Sequence, residues 1–538
     1  MTVKPTLATC LGLACLAAGA ALASAADWPQ WGRTDDRNMV SPEKGLPETF
    51  VPGDKDPKGG GIKMDTTQNV KWVARLGGYA YGNPTVAAGR VFVGADDQTL
   101  EGDARLKRVK GGMVKCFAEA AGKLLWQLAV PPRTHLPKEY HFSQQQLGVC
   151  SSPAVDGDRV YVVTNTDEVL CLDVRGQANG NDGPFMDEGK FMAGPEQPPV
   201  ALGPADGDII WKYDIITELK VVPHDVASCS IAIHGDFLYL STCNGVDHPH
   251  EKAVAPDAPA VIVLNKKTGK LAAVENEGIS RRMWHTQWCS PSLGKVGDKT
   301  LVFFGGTDGF CYAFETLTEM PAKPVSLRKV WSYDANPPEY RLRDGKPMHY
   351  MSGDKRRKDS PNKNDGSYLG PSEIIATPVF YENRIYVAIG QDPMHGRGRG
   401  LLHCIDATKT GDITKTGCLW TYDGLDRTIS DVTIAGGLAY VPDIAGRLHC
   451  LDAETGKPLW VYETGAETWG SALVADGKIY LGTQKALVVL AAGREARLLS
   501  RISLGSPVYT TPVAANGALF VASQRYMWAV QQMAAKKP

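Results

Sequence analysis

Several short stretches of this 538-residue chain carry side chains that can hold a metal ion or a flat ligand. His224 is followed by Asp225. Trp284 and His285 are followed by Gln287 and Trp288. His141 precedes three glutamines, Gln144 to Gln146. Ser372-Glu373, Asp426 with Ser430-Asp431, and Glu467 with Trp469 add carboxylates and another indole. Imidazole nitrogens and carboxylates ligate divalent metals, and indole rings offer flat faces to planar ligands. Asp247-His248-Pro249-His250-Glu251 sets two imidazoles between two acids, so His248 and His250 are candidate metal ligands. Such a run also suits a solvated loop, and the whole set also suits ordinary rim residues with satisfied hydrogen bonds. No pair has a diagnostic spacing.

Stronger signatures are absent from the sequence. There is no Gly-x4-Gly-Lys-Ser/Thr phosphate loop, no His-Glu-x-x-His and no Gly-x-Ser-x-Gly. Asn179-Gly-Asn-Asp-Gly183 resembles the start of a calcium loop, but Gly180 and Gly189 fall where an EF-hand needs ligands, so a polar turn is expected.

The elements that must position these residues are strands. Apolar residues at period two recur with Asp-Gly or Asn-Gly turns between them, the pattern of half-buried hairpins. One unit repeats: a Ser/Thr-Pro-type step, an apolar strand, a Gly turn, a strong strand, then a strand ending in Asp-Ala-x-Thr-Gly-Lys and a Trp. Its clearest copy runs from Ile434 to Trp460. Other copies begin near Gly82, Cys150, Cys229, Cys289, Ala376, Trp469 and Thr511. The last copy lacks its Trp strand, and Asn69-Val-Lys-Trp72-Val supplies one at the other end. The expected fold is all-β: an eight-bladed β-propeller of four-stranded antiparallel blades over 69–530, closed by an N-terminal strand. In such a ring the loops entering each blade's first strand gather around one channel mouth. His141, His224, Asp225, Trp284, His285, Trp288, Glu373, Asp431 and Trp469 would then share that mouth. Insertions at about 177–205 and 335–372 are long enough to carry recognition.

Lys and Arg total 58 against 59 Asp and Glu, which argues against a nucleic-acid partner. The basic run 355–358 sits in a polar insertion and reads as a solvated loop. Lys4, an apolar stretch over 7–22 and Ala23-Ser24-Ala25 read as a signal peptide over 1–25, followed by an extension over 26–68; a C-terminal tail covers 531–538. Export to the periplasm or beyond is expected, as a monomer with no membrane span after cleavage. An uncleaved anchor is the alternative.

Cys116, Cys171, Cys311, Cys404 and Cys450 fall at what looks like one repeat position, where the third copy has Val263, so small buried thiols are expected. Cys243 and Cys418 fall outside the repeat and are the better disulfide candidates. The repeated Trp72, Trp126, Trp211, Trp331, Trp420 and Trp460 suit packing between blades.

The turn Asp452–Trp460 resembles the tryptophan-docking repeat of quinoprotein (pyrroloquinoline quinone, PQQ) propellers, with weaker copies at 119–126, 265–270 and 406–420. The start Asp27-Trp-Pro-Gln-Trp-Gly resembles the leader of exported PQQ-like propellers. The resemblance implies one of two functions. One is a cofactor-free binding or scaffold module for a protein, a glycan or a small molecule. The other is an alcohol or sugar oxidoreductase using PQQ with calcium. The sequence has no adjacent cysteine pair and no Cys-x-x-Cys-His for a haem, which favours the binding module.

Overall fold

The computed structural model describes residues 26–533, apart from 58–59, 101–102, 135, 137–141, 144–145, 249, 251, 344, 348–370 and 393–397. The expected leader, His141, Gln144, Gln145, Glu251 and the basic run 355–358 lie outside the described residues.

Eight blades follow one another along the chain, each a four-stranded antiparallel sheet; those of blades 3, 4 and 7 carry a short fifth strand in parallel. Blades 1 to 7 span 85–130, 154–214, 232–274, 292–334, 379–422, 433–463 and 473–502. Blade 8 takes Val513–Ala515, Ala518–Ala522 and Tyr526–Val530 from the C-terminal end. Its outermost strand is Val70–Arg75, antiparallel to Tyr526–Val530. The ring therefore closes as the repeat pattern requires, which removes long exposed sheet edges.

The repeat grammar has a physical cause at each position. In six blades the second strand carries an aromatic residue, the third a small one and the outermost a Trp, directly opposite one another; blades 3 and 7 have Ala273 and Ser500 in place of the Trp. Phe92, Cys116 and Trp126 are aligned in blade 1, and Tyr440, Cys450 and Trp460 in blade 6. The two rings lean together over the middle strand, with centroids 6.0 Å apart in both blades. Only a small side chain fits between them, so Cys and Ala interchange there, and Val appears only where no Trp faces it, at Val263 and Val489. In blade 4 this position is Ala313, opposite Trp331. Cys311 lies two residues earlier, opposite Tyr333, which corrects its expected place. The ten cysteines of the described residues are all free thiols. Cys243, buried in blade 3, and Cys418, exposed on the outermost strand of blade 5, the two disulfide candidates, are both free thiols.

Each Trp also docks the next blade. The indole N–H of Trp72 donates to Glu119 O at 2.8 Å, Trp126 to Val174 O at 3.1 Å and Trp211 to Lys266 O at 3.1 Å. The ring covers the glycine of the neighbouring blade's turn. A Cβ at Gly122 or Gly456 would stand 2.5 Å from the ring of Trp72 or Trp420, and both glycines have positive φ.

The Ser/Thr-Pro-type steps do a different job. They stand at the start of each first strand, where backbone N–H groups point toward the next blade. Among the described residues, seven hydrogen bonds link these steps around the axis. Asn83 N–H donates to Ser152 Oγ at 2.9 Å, Ser152 to Ser230 at 3.1 Å and Ser230 to Ser290 at 2.9 Å. Thr377 donates to Asp431 at 2.7 Å, Asp431 to Ser471 at 2.9 Å, Ser471 to Thr511 at 2.8 Å and Thr511 to Asn83 at 2.9 Å. All eight side chains are buried or nearly so.

Ser152→Ala removes one acceptor and leaves a buried amide unsatisfied, so it is expected to cost about 1–3 kcal/mol in urea unfolding. Ser152→Thr keeps the acceptor and should stay within about 1 kcal/mol of wild type.

Candidate functional site

The two ends of the channel differ. One is filled by residues 26–43, which run past the first strands of all eight blades. Trp28 pairs with Val86 of blade 1. Val155, Leu293, Phe380 and Val474 donate backbone hydrogen bonds to the carbonyls of Pro29, Asp35, Asp36 and Met39. Asn38 exchanges two bonds with Ile434 of blade 6. Glu43 accepts from Asn516 and Gly517, in the turn after the first strand of blade 8. Arg37 reaches the remaining blade, donating to Ile231 O at 2.9 Å, and to Pro291 O of blade 4 at 3.0 Å. It is fully buried, and burial pulls its pKa below the usual value. The extension expected over 26–68 thus begins as a plug.

Asp431 belongs to this end. It holds a place in the ring of steps, and its other oxygen accepts from the Trp31 indole of the plug at 2.7 Å. Burial pushes its pKa up to about 7.

The other end is built from the loops that enter the first strands and those that join second to third strands. In blades 3, 4 and 5 these loops bring His224, Asp225, His250, His285 and Asp392 together. His224 and Asp225 precede the first strand of blade 3. His250 lies in the long connection between Phe237–Ser241 and Val261–Asn265. His285 precedes the first strand of blade 4. The bridges Pro223–Asn244 and Gly245–Thr286 tie the three loops to one another. Gly245 permits this approach, because a Cβ there would stand 2.6 Å from the His224 Cβ.

The imidazoles of His224, His250 and His285 place one nitrogen each within 4.8 Å of the others. His250 Nε2 and His285 Nε2 are 3.0 Å apart. Asp225 oxygens stand 3.7 Å from His224 Nε2 and 3.8 Å from His285 Nε2. Asp392 joins Asp225 and His285 in an overlapping group of the same size. Glu373 lies beside it, accepts from Thr307 Oγ1 at 2.9 Å, and has its pKa raised well above the usual range by burial.

Not every expected residue joins this cluster. Trp284 donates to Asp308 O at 3.2 Å and lies 5.9 Å from the Arg341 guanidinium. Trp288 packs against His285, with ring centroids 5.1 Å apart, and donates to Val226 O. His248 is exposed and stands apart from the metal-holding groups. Trp469 lies on the loop entering blade 7, in a second feature of the mouth. It stacks on Tyr509 at 4.1 Å and on Tyr81 at 5.8 Å, and Tyr81 stacks on Tyr79. These four half-exposed or exposed rings form a ledge across blades 1, 7 and 8. The tyrosines and Asp392 carried no sequence signal of their own; only their places just before a first strand, or between second and third strands, marked them.

The insertion at 177–205 is not over the mouth. Its helix, Glu188–Ala193, packs on the outermost strand of blade 1. Asp173, Asp182 and Asp208 form a small acidic group beside it, and burial raises Asp208 to about 6.

The histidine cluster of the mouth does not suit the calcium that accompanies PQQ. Calcium takes oxygen ligands, whereas three of the grouped donors are imidazole nitrogens. The rings of the ledge close on one another, so Trp469 and Tyr509 leave no slot between them for a flat cofactor.

Comparison with known proteins places the chain. The family described as outer membrane protein assembly factor BamB matches residues 110–271 and, in overlapping segments, 327–537. No curated protein matches by sequence. Among solved structures, a europium-containing methanol dehydrogenase is 11% identical with a TM-score of 0.53, covering 93% of this chain and 89% of its own. BamB from Moraxella catarrhalis is 14% identical with a TM-score of 0.48, covering 87% and 98%. A quinohemoprotein alcohol dehydrogenase from Comamonas testosteroni is 13% identical with a TM-score of 0.46, covering 95% and 81%. At these identities the dehydrogenase above 0.5 speaks for the fold alone.

Asp431 makes the plugged end pH-sensitive. A folded-state pKa above the ordinary 3.8 means that stability is full at low pH and declines as pH rises through about 7. Asp431→Ser keeps an acceptor for Thr377 and should flatten the dependence of urea midpoint on pH between 4 and 8.

Proposed function

The chain belongs to the PQQ-like β-propeller family described as outer membrane protein assembly factor BamB, and on that footing we propose that it is an exported binding module that holds a protein or glycan ligand on its open channel mouth. The observation that carries this reading is the aromatic ledge of Tyr79, Tyr81, Trp469 and Tyr509 on the one end of the channel that the plug leaves clear. Half-exposed, mutually stacked rings offer a rigid apolar surface at small entropic cost, as binding sites for sugars and extended chains require. Trp469 is oriented by its hydrogen bond to Glu467 Oε1 at 2.6 Å, and Tyr81 by one from Gln524 at 3.0 Å.

Export fits the expected leader and the family. Among the described residues no helix is long and apolar enough to cross a membrane. A monomer is expected, because the ring already buries its own edges.

A quinoprotein would behave differently. The mature protein, incubated with PQQ and calcium, should show no calcium-dependent rise in melting temperature and no oxidation of alcohols or sugars with an artificial electron acceptor. A rise at stoichiometric PQQ would replace this reading by the oxidoreductase one. In a panel of oligosaccharides and extended peptides, Trp469→Ala should weaken any ligand that quenches wild-type fluorescence by about 10-fold or more, equivalent to roughly 1.4 kcal/mol.

A further inference from the structure

We infer that the mouth holds a divalent transition-metal ion of the zinc class, ligated by the Nε2 atoms of His224, His250 and His285 with a carboxylate oxygen of Asp225 as the fourth donor. This site is independent of what the aromatic ledge binds, since the two lie on different blades.

The geometry suits such an ion. Zinc–nitrogen bonds of about 2.0–2.1 Å in a tetrahedron place ligand atoms roughly 3.3–3.4 Å apart. His250 Nε2 and His285 Nε2, 3.0 Å apart, stand near that spacing, and Asp225 offers one oxygen 3.7 Å from His224 Nε2 and its other oxygen 3.8 Å from His285 Nε2, so a small carboxylate rotation brings one of them to the ion. The chemistry of the donors selects the metal, because nitrogen-rich sets favour zinc, copper and nickel over calcium and magnesium.

The surroundings prepare these donors. His224 Nδ1 is 2.9 Å from Val246 O, and a carbonyl only accepts, so Nδ1 carries the hydrogen and Nε2 presents its lone pair to the cluster. His224 and His285 are fully buried, so their rings are fixed by packing. Trp288 packs on the His285 ring and shields one side. Asp225 and His250 both adopt left-handed backbone conformations, with φ of 57° and 61°. Left-handed conformations outside glycine are uncommon and persist where the surroundings impose them. Both turn a ligand inward. Asp392 adds a second carboxylate next to Asp225 and His285, so the charge of a bound divalent ion would be neutralised.

The test uses the whole mature protein, treated with EDTA and returned to chelator-free buffer. Titration with zinc chloride by calorimetry should show one site with a dissociation constant below about 1 µM. Cobalt(II) chloride should give a visible d–d absorption band. His250→Ala, at the half-buried member, and His285→Ala should each weaken zinc at least 10-fold and abolish the cobalt band. His248→Ala, an exposed neighbour, should bind as wild type does. Far-UV circular dichroism and urea unfolding confirm that each variant is folded, and His250→Ala decides the matter if His285→Ala is not. Failure of the folded wild type to bind zinc, or equal binding by wild type and His250→Ala, would overturn the inference. Neither result bears on the ledge, whose own test is ligand binding by Trp469→Ala.

Discussion

The structure depends on a circle of hydrogen bonds about the channel axis. Eight blades must meet at their narrowest point, where strands are short and backbone N–H groups face a neighbouring chain segment rather than a ladder partner. A buried amide without an acceptor costs about as much as a lost hydrogen bond, so each blade needs an oxygen at one fixed place. Ser, Thr, Asn and Asp are the short side chains that supply it. From Asn83 to Thr511 that is what stands there. The circle sets the diameter of the channel, and the Trp indoles that bind the next blade set the spacing at the rim.

With the ring fixed, one end of the channel can be stopped and the other left clear. The plug works because it is not a repeat. Eighteen residues, of which only Val40 and Ser41 form a strand, send carbonyls, an amide, a carboxylate and a guanidinium to all eight blades, and Arg37 reaches blades 3 and 4 at once. The consequence falls on the far end. There the entering loops are held by the same first strands that the plug and the circle lock, so the histidines and the aromatic ledge sit on rigid supports. Pre-organised donors and rings lose little freedom when they bind, which is the physical ground for placing function at that end.

The blades were legible in the sequence because their constraint is local and repeated. Period-two strands, Gly turns and the Trp that covers a Gly each leave a mark at a fixed interval. Cys311 lies two residues before the aligned position, which Ala313 fills opposite Trp331; two small residues at period two on one strand left the choice between them open in the sequence. The plug was not legible, since its contacts run through backbone carbonyls and a few unrepeated side chains, Trp31, Arg37, Asn38 and Glu43. Asp431 looked like a mouth ligand from its carboxylate alone; aligned with the Ser-Pro steps, it reads as a member of the circle. His224, Asp225 and His285 were marked by their loops. His250 belonged to a separate acidic stretch, and only the antiparallel return of blade 3 brings it beside them. Nothing in the sequence around His248 separates it from His250; the chain's turn does.

The most direct measurement of the account is an anomalous difference map at the zinc edge from crystals of the mature protein grown with zinc. The account predicts one strong peak at the mouth, about 2.0–2.1 Å from the Nε2 atoms of His224, His250 and His285 and in contact with Asp225. Well-ordered imidazoles with no peak among them, while zinc is seen elsewhere on the molecule, would contradict it.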